Sequence, residues 1–166
     1  MEKMLRGNRW FIRNSDAALR HDLAVNGQHP FAVVICCSDS RVIPEAIFGT
    51  TFGELFVIRV AGNVLGDHQL GSIQYAVEHL GVRTVVMLGH TQCGAIGAAL
   101  EGHVQGYVAS VIGEIRLAIG PETDPGAAAR LNVRHGVKRI REAFPDPDLD
   151  IRGAVYDIAG GTVEWL

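Results

Sequence analysis

The chain has 166 residues, 48% of them hydrophobic and 20% charged, enough for one domain with a real apolar core. Its net charge of −3 gives no electrostatic basis for binding nucleic acid or an anionic membrane. No apolar run is long enough to span a bilayer, and the opening MEKMLRGNRWF lacks the apolar stretch of a signal peptide, so a cytoplasmic protein is expected.

Residues 3–24 carry apolar side chains at helical spacing: Met4, Leu5, Trp10, Phe11, Ala18, Leu19 and Leu23. The pattern breaks near Asn14–Ser15, which predicts one or two amphipathic helices. The turn signal NGQHP then leads into FAVVIC, a continuous apolar run typical of a buried parallel strand. LFVIRV (55–60) and TVVMLG (84–89) are two more such runs. Between them, Asp67 is expected to cap a helix through Leu80, with Leu70, Ile73, Ala76 and Val77 on one face. GAIGAALEG starts another helix after the third strand. Segments 104–119 and 127–144 are helical by pattern, separated by PETDPG. After FPDPDLD comes a fourth strand, RGAVYDI, then the turn AGG and TVEWL as a last hairpin strand. Strands alternating with helices predict a single α/β domain over 1–166. Its sheet is expected to be mainly parallel, covered by helices, with an antiparallel C-terminal edge strand.

The cysteines are Cys36, Cys37 and Cys93. An odd, low count in a core-forming chain does not suit a secreted disulfide framework. Adjacent cysteines strain the backbone if bridged, so reduced thiols are expected, serving as core, ligands or nucleophiles. In a parallel sheet, functional groups gather at the C-terminal strand ends near a switch in strand order. Cys37, Asp39 and Arg41 follow the first strand in CCSDSRV, and His90 and Cys93 follow the third in GHTQCG. Right-handed crossovers put both strand ends on one sheet edge. Two cysteines and one histidine can thus converge, leaving a fourth tetrahedral position open, as a catalytic zinc site requires. Thiolate and imidazole suit zinc better than magnesium or calcium.

CSDSRV, RVAGN at 59–63 and GHTQCG resemble, in order and spacing, the signature blocks of the β-class carbonic anhydrases. The resemblance covers nearly the whole chain, including the ending GAVYDIAGGTVEWL. It implies zinc held by Cys37, His90 and Cys93, with Asp39 and Arg41 as a catalytic dyad. It implies reversible hydration of carbon dioxide to bicarbonate and a proton by zinc-bound hydroxide, since zinc lowers the pKa of bound water. Asp39 would accept a hydrogen bond from that hydroxide and turn its lone pair toward CO2. Arg41 would hold Asp39 ionised and fix its rotamer. In some members the aspartate leaves the arginine at low pH and binds the zinc itself.

Similarity to the plant-type branch extends to the substrate pocket: Gln28, Phe56, Ala61, Tyr75 and Gly94, with His79 as a candidate proton shuttle. Val60 departs from the asparagine more common there. The allosteric branch has a tryptophan three residues before the ligand cysteine; this chain has Val34, which implies the open, non-allosteric type. The family also implies a homodimer or a tetramer of dimers, with residues 1–25 as a helical arm across the partner and Trp10 and Phe11 as anchors.

Other readings stand beside these. Cys36 lies on the strand one step from Cys37, so alternation turns it to the opposite face as packing. His79 can be a partly buried helix residue, and Phe56 and Tyr75 core packing. His21, His29, His68, His103 and His135 have no partner in the pattern. GHTQCGAIGAALEG matches neither phosphate-loop motif. RHGVKRIR is expected to be a solvated helix face. The same zinc site would serve hydrolysis of carbonyl sulfide or carbon disulfide, each also a linear triatomic. A non-catalytic zinc scaffold is the third alternative.

Overall fold

A computed structural model describes residues 1–102 and 105–166. Two helices open the chain, α1 (Glu2–Asn14) and α2 (Ala17–Asn26). They part at Ser15, whose backbone is extended, and Asp16 caps α2 by accepting from the Leu19 N–H at 3.0 Å. Neither helix buries a residue. Phe11 nonetheless packs edge-on against Phe52 of its own chain at 5.4 Å, whereas Trp10 is exposed.

Five strands follow: β1 (Ala32–Cys36), β2 (Leu55–Arg59), β3 (Thr84–His90), β4 (Asp150–Tyr156) and β5 (Val163–Trp165). They form one sheet in the order β2-β1-β3-β4-β5, parallel except for the antiparallel β4–β5 hairpin. From β1 the chain steps to one side for β2, then crosses to the other for β3. That reversal makes the C-terminal ends of β1 and β3 the crevice of the sheet.

The remaining helices are α3 (Pro44–Phe48), α4 (Asp67–His79), α5 (Gly94–Glu101), α6 (Val108–Ile119) and α7 (Pro125–Ala143). Helix α3 has no counterpart in the sequence reading: five residues are too few to show a period, although Pro44 starts it and Gly49 ends it in the left-handed region. Gly66, not Asp67, is the N-cap of α4; its N–H donates to the Gln69 side chain at 3.0 Å, and Asp67 sits in the first turn, where it complements the helix dipole. Helix α7 starts earlier than the pattern suggests, because Asp124 caps it by accepting from Ala127 N–H at 2.7 Å. The expected start at 104, and His103, lie outside the described residues.

Alternation along β1 sorts the core. Val33 and Ile35 join Val85 and Met87 beneath Ile73 of α4 and Val133, Val137 and Ile140 of α7. Val34 and Cys36 point the other way, packing with Val86, Leu88, Val42, Ile47 and Phe48. Helix α7 lies close on β3 because glycine permits it: a Cβ at Gly89 would come 2.5 Å from Val133 Cγ2. Val133 is fully buried and has nowhere to go. Gly89→Ala is expected to lose about 1–3 kcal/mol by overpacking, read as a lower urea midpoint. Gly7→Ala, with open space around it on α1, should gain up to about 1 kcal/mol.

Candidate metal centre

Strand β1 delivers Cys37 one residue past its end, and β3 delivers His90 as its last residue. The loop after β1 is tied to the end of β2 by Val60 N–H on Cys36 O at 3.1 Å and Ser38 N–H on Val60 O at 3.2 Å. After His90 the chain turns through Gln92, which has a positive φ of 56°, and Cys93 becomes the N-cap of α5. The donor atoms of Cys37, His90 and Cys93 all lie within 4.8 Å of one another, and all three residues are buried.

The three residues fit a zinc ion. His90 Nδ1 lies 2.8 Å from Thr91 O, which fixes Nδ1 as the protonated nitrogen and leaves Nε2 as the free donor atom. That Nε2 is buried with no hydrogen-bond partner among the described residues, an arrangement that costs free energy unless a metal takes the lone pair. The closeness of the Cys93 thiol holds Cys37 toward its thiolate, while the same neighbour and burial hold Cys93 protonated. Two sulfurs this close to one another and to a histidine nitrogen suit a thiophilic dication, which binds them as thiolates. Cys36 contrasts with Cys37: burial pushes its thiol up to about 12, and it packs on the opposite sheet face. Cys36→Ala is therefore expected to keep full zinc content by elemental analysis, at a stability cost of about 1 kcal/mol.

Asp39 and Arg41 meet beside this group in a two-pronged pair. Arg41 Nε donates to Asp39 Oδ1 at 2.9 Å and Nη2 to Oδ2 at 2.7 Å, while the Arg41 N–H also reaches Oδ1 at 2.9 Å. The guanidinium holds the Asp39 carboxyl well below the usual carboxylate range. Arg41 Nη2 also donates to Gln92 O at 3.2 Å, linking the dyad to the turn between His90 and Cys93.

The predicted pocket residues are dispersed. Phe56 on β2 is half-buried and faces Tyr75 of α4 at 6.1 Å; Tyr75 in turn lies 5.2 Å from His79. Tyr75 is exposed, so it is not the core residue that the packing reading required, and His79 is exposed where the alternative reading had it partly buried. Ala61 is exposed in a 3-10 turn (Ala61–Asn63), and Gly94 is exposed at the start of α5. Gln28 is exposed in the loop before β1 and makes no hydrogen bond among the described residues.

Two residues of the RVAGN block enter in ways the sequence reading missed. Arg59 Nη2 donates to Asp39 O at 2.7 Å and its Nε to Cys37 O at 3.3 Å, holding the loop that carries both side chains. Gly62 N–H donates to Cys37 Sγ at 3.3 Å. The glycine itself was the available signal, since its φ of 65° suits few other residues.

Comparison with known proteins agrees with this arrangement. A family model for carbonic anhydrase matches residues 32–163. Carbonic anhydrase 2 of Mycobacterium tuberculosis is 47% identical over 121 residues, covering 70% of this chain; the matched stretch spans 54% of that relative. Among solved structures, the β-carbonic anhydrase CafA of Aspergillus fumigatus superposes with a TM-score of 0.85 at 31% identity, over 99% of this chain and 89% of that one. The tetrameric β-carbonic anhydrases of Sordaria macrospora superpose at 0.82 and 29% identity, over 99% and 95%. With the motifs, the sheet order and the Cys-His-Cys group in place, the chain belongs to the carbonic anhydrase family, in its β class.

Proposed function

We propose that this chain is a zinc-dependent carbonic anhydrase that hydrates carbon dioxide reversibly to bicarbonate and a proton. The observation that carries the reading is a buried Cys37–His90–Cys93 group with the Asp39–Arg41 pair beside it. Zinc held there supplies hydroxide at neutral pH. The chain's own groups do the rest. Thr91 O keeps the proton on His90 Nδ1, so Nε2 stays available. Arg41 keeps Asp39 ionised and in one rotamer, so its carboxylate is a fixed acceptor that orients the attacking oxygen. Gln28, Ala61, Gly94, Phe56 and Tyr75 are proposed to shape the substrate pocket, and His79, exposed beside Tyr75, to pass protons to solvent.

We also propose that the pocket is completed by a second copy. The exposed Met4, Leu5, Trp10 and Ile12 of α1, a helix that buries nothing in its own chain, suit an arm laid across a partner. The Sordaria enzymes are tetrameric by their description. Deleting residues 1–25 is expected to lower the assembly state in light scattering. Among the described residues, no helix is long and apolar enough to cross a membrane. A cytoplasmic setting is proposed from the low, odd count of cysteines, which does not suit a secreted disulfide framework.

Stopped-flow CO2 hydration on protein of known zinc content tests the function, with carbonyl sulfide turnover measured in parallel. Hydration in the zinc-loaded sample is expected. Its absence at alkaline pH overturns the reading, and turnover of carbonyl sulfide alone reassigns the substrate.

A further inference from the structure

The Gly62 N–H, in the peptide that follows Ala61, donates to Cys37 Sγ at 3.3 Å, and its direction depends on how the Gly62 residue is seated. Two side chains of α7 seat the turn from its other side, through the carbonyls of Gly62 and Leu65. Asn132 Nδ2 donates to Gly62 O at 2.9 Å, in a contact buried from solvent. Arg139 Nη1 donates to Leu65 O at 2.7 Å and pairs with Glu114 of α6, also at 2.7 Å. Asn132 and Arg139 are seven residues apart, two helical turns, and so project from one face of α7. They grip the 62–65 segment at both ends.

The third side of Gly62 is closed as well. A Cβ there would lie 2.7 Å from Ile115 Cδ1 and 3.1 Å from Ala95 Cβ, so α5 and α6 press the turn against Asn132. The next residue of α7, Val133, packs on Gly89, immediately before His90. One helix therefore references both strand ends that carry the ligands. It meets the Cys37 side through Asn132 and the His90 side through Val133.

We propose that α7 is a positioning element of the metal centre, with Asn132 and Arg139 as positioning residues that keep the Gly62 N–H on the Cys37 sulfur. This rests on the zinc reading above. An N–H aimed at a thiolate draws charge from the sulfur and fixes its direction, which governs how firmly the sulfur holds a metal. Asn132 is 4% exposed and its amide can be replaced by an apolar group of similar size. Asn132→Leu keeps the volume and removes the donor to Gly62 O.

The test is zinc release from the full-length protein to a chelator. N132L is expected to release zinc roughly ten- to a hundredfold faster than the parent, and R139M to move in the same direction by less. The cobalt-substituted N132L protein is expected to show a shifted thiolate-to-cobalt charge-transfer band. Val137→Ala is the control: it opens a core cavity in the same helix while leaving both side-chain donors to the 62–65 segment in place. It should lower thermal stability and leave both readouts unchanged. Release from N132L and R139M at the parent rate, or no faster than from V137A, overturns the proposal. If N132L does not accumulate, R139M decides alone, since its ion pair is partly exposed and is not needed for the core. A parent chain that takes up no zinc overturns the zinc reading instead.

Discussion

The Cys37→Ser variant is expected to lose stoichiometric zinc and, with it, all CO2 hydration above background. Serine's hydroxyl is not ionised at neutral pH and is a poor ligand for a borderline-soft ion. The remaining His90 and Cys93 leave zinc two protein ligands where catalytic sites hold three. The Gly62 N–H also loses its sulfur acceptor. Without the metal, water at the site loses the ion that would lower its pKa, so hydroxide is no longer supplied there at neutral pH. Elemental analysis after gel filtration, paired with stopped-flow hydration, reads both effects. The neighbouring C36A variant, expected to keep its zinc, excludes a general response to losing a buried thiol. A C37S protein that carries full zinc at parental affinity would remove Cys37 from the ligand set.

Asp39→Asn carries the second large effect, of a different kind. Zinc content should be unchanged, while kcat/KM falls by roughly a hundred- to ten-thousandfold. Arg41 approaches Asp39 with two parallel N–H donors, and both carboxylate oxygens accept. An amide offers one acceptor and one NH2 group, so one prong of the guanidinium would face a donor. The side chain must then rotate or release Arg41, and the acceptor that orients the attacking oxygen is lost. The pair is partly exposed, so the stability change should stay below about 1 kcal/mol. Arg41→Lys should show a smaller loss in rate, since a lysine is charged but cannot make the two-pronged contact. Unchanged turnover in D39N at full zinc occupancy would take Asp39 out of the mechanism.

The elements were legible where local pattern is strong. FAVVIC, LFVIRV and TVVMLG carry unbroken apolar runs, and the structure places β1, β2 and β3 within one residue of each. The failures are equally local. Helix α3 is too short to display a period, and Gly66 rather than Asp67 caps α4 because the Gln69 side chain accepts from its N–H. Tyr75 and His79 lie on the side of α4 away from Ile73 and Ala76, so helical spacing alone already turns them from the core, and both are exposed.

The candidate site divides along the same line. CCSDSRV and GHTQCG carry the proposed ligand set and dyad, because metal ligation and carboxylate–guanidinium pairing demand particular residue types at short spacing. Alternation along a strand was enough to separate Cys36 from Cys37, and the two do enter different parts of the core. Only the folded chain shows that Arg59 holds the Asp39 loop, that Gly62 donates to Cys37, and that Asn132 of α7 holds Gly62 from 70 residues away. Sequence encodes periodicity and reactive groups within a few residues of one another. Contacts between a turn after β2 and a helix before β4 arise from packing, and no local pattern specifies them.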